Sequence, residues 1–417
     1  MRVSQSLLIL AATCGAGGLV CATLGATQIP VPAYVLETAR ATHASADLIS
    51  LDVSRNAVID DGGTRRTIGP LIELRRANRA LPALPERHFA LLTNGDRIPL
   101  EPTAPIALEG NRLRLIPAKS LPGAIKSLSL YAPHVVAVFW SAPAGVDDAG
   151  IFFGKIQQQT RPRDVVYLTN GDRIEGALTD LSAKGCVIAH GDKKTSLPVE
   201  RIAGIAWNTD NQARLRSRKA YFRAVLAGGA RINFAELRLD EKTRRWTGKT
   251  QFDAALEMPE DAVLALDERQ GQAVDLADLK PTRYEYRPYL GAAWPLALDR
   301  SVSGHPLQLG GSTFEKGLGT HASCSITYRL DNAYQRFDSD VGIDAEHAPR
   351  GRARIAIELD GKRVELAEGK ELTAKSAPVQ VRMAVRGVRV MTLIVDTGSY
   401  GDVQAEVNWA KARLIKR

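Results

Sequence analysis

The stretch Glu315–Leu330, EKGLGTHASCSITYRL, decides how the last third of the chain is read. Gly317 and Gly319 permit a close or left-handed backbone just before a strand, as the corner of a sandwich requires. From Cys324 the residues alternate: Cys324, Ile326, Tyr328 and Leu330 fall on one face, Ser323, Ser325, Thr327 and Arg329 on the other. A period of two with one apolar face predicts a half-buried strand. His321 shares parity with Ser323 and Ser325, so it points away from that core if the strand already runs there. Two readings stay open for it, a satisfied structural histidine at a corner and a ligand contact.

Working outward, the same pattern recurs in YQRFDSDVGID (334–344), ARIAIELDGKRVEL (353–366), VQVRMAVRGVRVMTLIVDTG (379–398) and AEVNWAKARLI (405–415). Short apolar segments separated by Gly, Asp and Asn turns predict a β-sandwich. Upstream, DERQGQAVDLADLKP (267–281) drops its periodicity and ends at proline, which marks a boundary.

The ordered set KGLGTHASCSITYRL, YQRFDSDVGID, Asp360-Gly361 and the terminal NWAKARL resembles the NPCBM family, which includes the family 51 carbohydrate-binding modules. The resemblance covers 273–417. It implies a jelly-roll sandwich of the galactose-binding-like type, often with bound calcium, on exported proteins that meet glycans. A sugar site in such a module needs an aromatic face for the pyranose and polar groups for its hydroxyls. Trp294, His321, Asp344, Glu346, Tyr400 and Trp409 are the expected carbohydrate-binding residues, with Tyr289 and Arg350 as further candidates; Trp409 and Trp294 also admit core readings. Calcium takes several hard oxygen ligands; Asp299, Asp344 and Asp402 are candidates, with Asp299 and Asp402 as the expected metal residues. The chain departs from the common family ending, which resembles Asp-His-x-Asp-Trp, by offering Ala405, Glu406, Val407, Asn408 and Trp409.

The first two thirds carry a repeat. LLTNGDRIPL begins at Leu91 and YLTNGDRIEG at Tyr167, with VLAGGARINF at Val225 as a degenerate third copy. Asn-Gly and Gly-Gly supply the positive dihedrals of a two-residue hairpin turn between strands. Downstream, SLYAPHVVAVFW (129–140) aligns with SLPVERIAGIAW (196–207), matching Trp140 to Trp207. Each unit reads as a small antiparallel meander that looks like an SH3-like or Sm-like β-barrel. Asp96 and Asp172 beside these turns are expected to hydrogen-bond locally; Ala230 in the third copy shows that the turn survives without the carboxylate.

The expected organisation is therefore mainly β: a leader at 1–26, a β-rich module at 27–150, a second repeat at 151–215, a third at 216–272 and the sandwich at 273–417. Arg2 followed by SLLILAATCGAGGLVCATLGA resembles a secretory signal peptide cleaved after Ala26, with an uncleaved membrane anchor as the alternative. Without the leader only Cys186 and Cys324 remain, which is no disulfide framework; they either pair or stay as two buried thiols. A formal net charge of +9 favours acidic surroundings, and export disfavours nucleic acid as the partner. No nucleophile elbow or clustered metal-ligating Cys/His motif is present, and the repeats leave no stretch of the ~250 residues a barrel hydrolase needs. The expected function is an exported, non-catalytic protein that binds glycan, such as a cell-wall or capsule polysaccharide. The alternatives are a glycoside-processing enzyme that uses the sandwich for targeting and an envelope scaffold without a sugar site.

Overall fold

In the computed structural model the strands Tyr34–Thr38 (β1), Thr42–Leu51 (β2) and Leu71–Arg76 (β3) close a ring with Tyr221–Leu226 (β4), Arg231–Leu239 (β5) and Val263–Arg269 (β6). β2 pairs with β1, β1 with β3, β3 with β6, β6 with β4 and β4 with β5. A Leu239–Leu51 pairing between β5 and β2 completes the circuit. The ring encloses buried Tyr34, Leu48, Phe234, Trp246 and Leu266. The structure describes residues 34–77, 79–121, 126–215, 217, 219–288 and 293–417; the expected leader at 1–26 and Tyr289 lie outside them. Among the described residues no helix is long and apolar enough to cross a membrane.

This ring joins residues 34–76 to 221–269, so the expected segments 27–150 and 216–272 are interlocked rather than successive. The first and second repeats join each other through their closing strands, Val135–Phe139 and Ile202–Ala206. There the Trp140 N–H donates to Ala203 O at 2.8 Å and the Trp207 N–H to Val136 O at 3.0 Å. Because Ala203 and Val136 are themselves aligned positions, the two copies meet about a local pseudo-dyad. Gly204 is required at the crossing, since a Cβ there would lie 2.1 Å from the Phe139 ring.

One helix, Ala149–Gln158 (α1), follows the first repeat; the repeat reading of the sequence did not foresee it. Asp148 caps it by accepting the Ile151 N–H at 2.7 Å. Phe153 and Ile156, three positions apart, bury one face of it, and Phe153 meets Phe89 edge-on with ring centroids 4.8 Å apart.

The C-terminal third is a two-sheet sandwich. Gly317–His321 (β7), Cys324–Arg329 (β8), Tyr334–Ile343 (β9), Arg352–Leu359 (β10), Val390–Thr397 (β11) and Glu406–Lys416 (β12) are its main strands. One sheet runs β7-β12-β9 and the other β8-β11-β10, with shorter strands at their edges. Cys324, Ile326, Tyr328 and Leu330 are buried as the alternation predicts, and they pack with Phe337, Leu393 and Trp409. Cys186 and Cys324 are both free and buried, and burial pushes their thiols up to about 11 and about 12. The sandwich docks on the ring through ion pairs: Glu37 of β1 meets Arg336, Arg382 and Arg413, and Glu73 of β3 meets Lys411 and Arg413. Burial works against the Glu73 charge, yet Lys411, Arg413 and Arg75 hold its carboxyl well below the ordinary range.

Candidate functional site

Across the β7-β12-β9 sheet, His321 is paired with Glu406, Gly319 with Asn408 and Asn408 with Gly342. Beyond the end of β9, the Asp344 N–H donates to Glu406 O at 3.1 Å, continuing the register. Cross-strand partners share a face and neighbours in sequence alternate. His321, Glu406, Asn408 and Asp344 therefore stand on the outer face, while Val407, Trp409, Leu318 and Val341 point into the core.

The outer face is not open to solvent, because residues 299–309 cross it. A Cβ on Gly319 would lie 2.3 Å from Arg300 O, and one on Gly342 would lie 3.1 Å from Leu309 Cδ2. Asn408 Nδ2 donates to Gln308 O at 3.2 Å. The polar row is consequently buried: Asp344 is 0%, Asn408 1%, His321 5% and Glu406 9% exposed.

At one side of the row the Trp294 indole lies on the His321 imidazole, with centroids 5.0 Å apart and planes 9° from parallel. His321 Nδ1 is 2.9 Å from Ala322 O, a carbonyl that can only accept, so this nitrogen carries the proton. At the other side Asp344 Oδ1 accepts from His347 Nδ1 at 3.1 Å, and His347 stacks on His305 with centroids 3.6 Å apart. Between them, Asp344 Oδ2, Glu406 Oε2 and Asn408 Oδ1 are buried acceptors with no donor among the described residues. Each such group costs about 1–3 kcal/mol if left unsatisfied, so three in one row ask for donors from a ligand or from ordered water.

The structure thus brings together three of the six expected carbohydrate-binding residues: Trp294, His321 and Asp344. Glu346 is exposed in the turn beside Asp344. Tyr400 is 56% exposed and sits under the Arg352 guanidinium, 4.1 Å from its ring centroid. Arg350 is exposed and tied by its N–H to Gln404 Oε1 at 2.9 Å. Trp409 requires a correction: it is 0% exposed and opposes the row, because its partners Leu318 and Val341 put it on the inner face.

The expected calcium pair is also separated. Asp299 lies at the Gly317 end of β7, where Oδ2 takes Lys316 Nζ at 2.9 Å and Oδ1 the Gly317 N–H at 3.3 Å. Asp402 belongs to the opposite end, since the Ala405 N–H donates to Asp402 O and Ala405 O takes the Ala322 N–H. Four strand steps from Gly317 to His321 span about 13 Å, so these two carboxylates do not fit one ion. Among the described residues no three His, Cys, Asp or Glu side chains are grouped to hold a metal.

Glu406, Asn408, His305 and His347 complete the cluster and were absent from the expected set. The signal for two of them was present: in Ala405–Ala410 polar Glu406 and Asn408 alternate with apolar Val407 and Trp409. His305 and His347, 42 positions apart, carried no local signal.

Comparison with known proteins relates the last third of the chain to one domain family. Residues 272–415 match the NPCBM/NEW2 domain family. A Renibacterium salmoninarum protein named "Putative endo-alpha-N-acetylgalactosaminidase" is 30% identical over 112 residues, which are 27% of this chain and 7% of that protein, so the chain spans a small part of its length. A structure of CBM51 from Clostridium perfringens GH95 in complex with methyl-galactose is 23% identical, covering 34% of this chain and 99% of that one, with a TM-score of 0.31. A second Clostridium perfringens structure, of CBM51-2 in complex with GlcNAc and INT domains from ZmpB, is 22% identical, covering 41% of this chain and 36% of that one, with a TM-score of 0.32. Residues 272–415 of the chain are an NPCBM domain.

Proposed function

We propose that the NPCBM domain binds a glycan at the outer-face row of β7, β12 and β9, and that the protein does so without catalysis, as an exported binder of acidic or wall-type polysaccharide. The observation that carries this reading is the trio of donor-less acceptors, Asp344 Oδ2, Glu406 Oε2 and Asn408 Oδ1. Sugar hydroxyls are donors and would satisfy such acceptors. The flat Trp294–His321 wall offers apolar area beside it, as pyranose C–H faces require. The formal charge of +9 adds attraction toward anionic polymers, and membership of a carbohydrate-binding module family gives independent support.

The test is a glycan array probed with the full chain, followed by titration with methyl galactoside and N-acetylglucosamine. Glu406→Ala and Trp294→Ala are expected to abolish retention of whichever sugar the wild type holds. Unaltered binding by Glu406→Ala would remove the site. Turnover of a chromogenic glycoside by the wild type would remove the non-catalytic part of the reading.

A further inference from the structure

The polar row does not end within the sandwich. His347, which donates to Asp344, stacks face to face on His305 with planes 10° apart. His305 lies in the segment that crosses the outer face, and its Nδ1 is 3.2 Å from Asp148 Oδ2. Asp148 belongs to the upstream region, where its other oxygen, Oδ1, caps α1. A continuous path therefore runs from α1 through Asp148, His305 and His347 to Asp344, the fully buried carboxylate of the site.

Each link has a physical reason to be rigid. α1 is fixed by Phe153 and Ile156, which are buried under Phe89 and Phe139 of the first repeat. The same helix abuts the crossing segment: a Cβ on Gly154 would lie 3.6 Å from Arg300 Nη2, and one on Gly150 would lie 3.9 Å from Pro306. An imidazole whose Nδ1 is held by a carboxylate has a defined ring plane. Asp148 supplies that carboxylate to His305, and the ring plane of His305 is what His347 packs against.

We infer that Asp148 is a positioning residue for the glycan site, which makes the site composite: the upstream repeats set the geometry of its Asp344 side through the His305–His347 stack. This rests on the proposed sugar site and deepens it. The repeats are then part of recognition, not a spacer. By linkage, a sugar that binds this geometry must also strengthen the packing of α1 against the sandwich.

The two functions of Asp148 can be separated. Serine is as good a helix N-cap as aspartate, but it has one oxygen and cannot cap α1 and reach His305 together. In the full chain, Asp148→Ser is expected to change Tm by less than about 2 °C, while weakening methyl glycoside binding on the order of tenfold, about the worth of one charge-assisted hydrogen bond. Without sugar, the same substitution should shift the imidazole NMR signals of both His305 and His347, and His305→Ala should reproduce the loss of affinity. If Asp148→Ser binds as the wild type does while Glu406→Ala does not bind, the composite site is overturned and the sugar site stands. If Glu406→Ala binds as the wild type does, the sugar site itself fails and takes this inference with it. Unmoved His347 signals in Asp148→Ser would also overturn the positioning path, whatever the sugar does.

Discussion

Asp96 of the first repeat and Arg223 of the third meet at 3.2 Å, although 127 residues separate them. Asp96 is 0% exposed and also accepts the Asn233 N–H at 2.8 Å. Its twin Asp172 bonds only within its own exposed turn, through Asn170. The same seven-residue motif is thus a free hairpin turn in one copy and a buried junction in the other.

Burial pushes the Asp96 carboxyl up to about 7, against the pull of Arg223. A raised carboxyl takes up its proton more readily in the folded protein than in the unfolded chain, so its contribution to stability falls as pH rises from about 4 to about 7 and is level above that. Glu315 behaves oppositely: burial works against its charge, but Arg223 and Arg231 hold it at about 2, so its contribution is present above about 4.5 and lost as pH falls toward 2. Urea unfolding between pH 4.5 and 8 should show wild-type stability declining by up to about 3 kcal/mol, and Asp96→Asn should flatten that slope. An equally steep slope in the variant would place the titration elsewhere.

The docking of the sandwich on the ring depends on Glu37, which meets Arg413 at 2.7 Å, Arg382 at 2.9 Å and Arg336 at 3.1 Å. Glu37→Ala leaves the buried Arg413 with fewer counter-charges, a change that costs about 3–5 kcal/mol for buried pairs. Chemical denaturation should show a lowered midpoint, and the ring and the sandwich should separate into two transitions. An unchanged midpoint would show that Glu73 alone is sufficient.

Gly319 is where the crossing segment touches the sheet, with Arg300 O and Ser301 Cα within 2.3 and 2.6 Å of an added Cβ. Because both are backbone or near-backbone atoms, Gly319→Ala must lift the segment, at about 1–3 kcal/mol as for other overpacked sites. Sugar affinity should fall with it. Retained affinity at unchanged Tm would mean that the segment plays no part in the site.

The two tryptophans should part company. Trp409→Ala opens the sandwich core and should cost about 3–5 kcal/mol of stability. Trp294→Ala removes a half-buried ring at the edge of the row, so Tm should fall far less and affinity far more. Differential scanning calorimetry with glycoside titration of both variants decides it, and equal loss of stability in the two would make Trp294 a core residue.

Much of this protein follows from local pattern. The alternation of Cys324–Leu330, the NGDRI turns, the paired tryptophans and the ordered motifs of the last third were sufficient for a mainly β chain ending in a sandwich, because a strand with one buried face writes its period into the residues. α1 is less legible: Asp148 supplies a cap and Phe153 and Ile156 a helical spacing, but ten residues between two strand-rich repeats carry little periodicity of their own. Trp409 admits a sugar-platform reading as an aromatic in a terminal motif, but its alternation with Glu406 and Asn408 already sets it on the apolar face with Val407, where the structure has it.

Strands, their faces and their turns are thus written in the chain, because all of them depend on neighbours within a few residues. Long-range packing is what closes residues 34–76 into a ring with 221–269, buries Asp96 but not Asp172, and joins Asp148, His305, His347 and Asp344 in one path. The reason is physical: register and closure depend on pairing between distant strands, and a polar side chain becomes a site only when another segment covers it and withholds its hydrogen-bond partners.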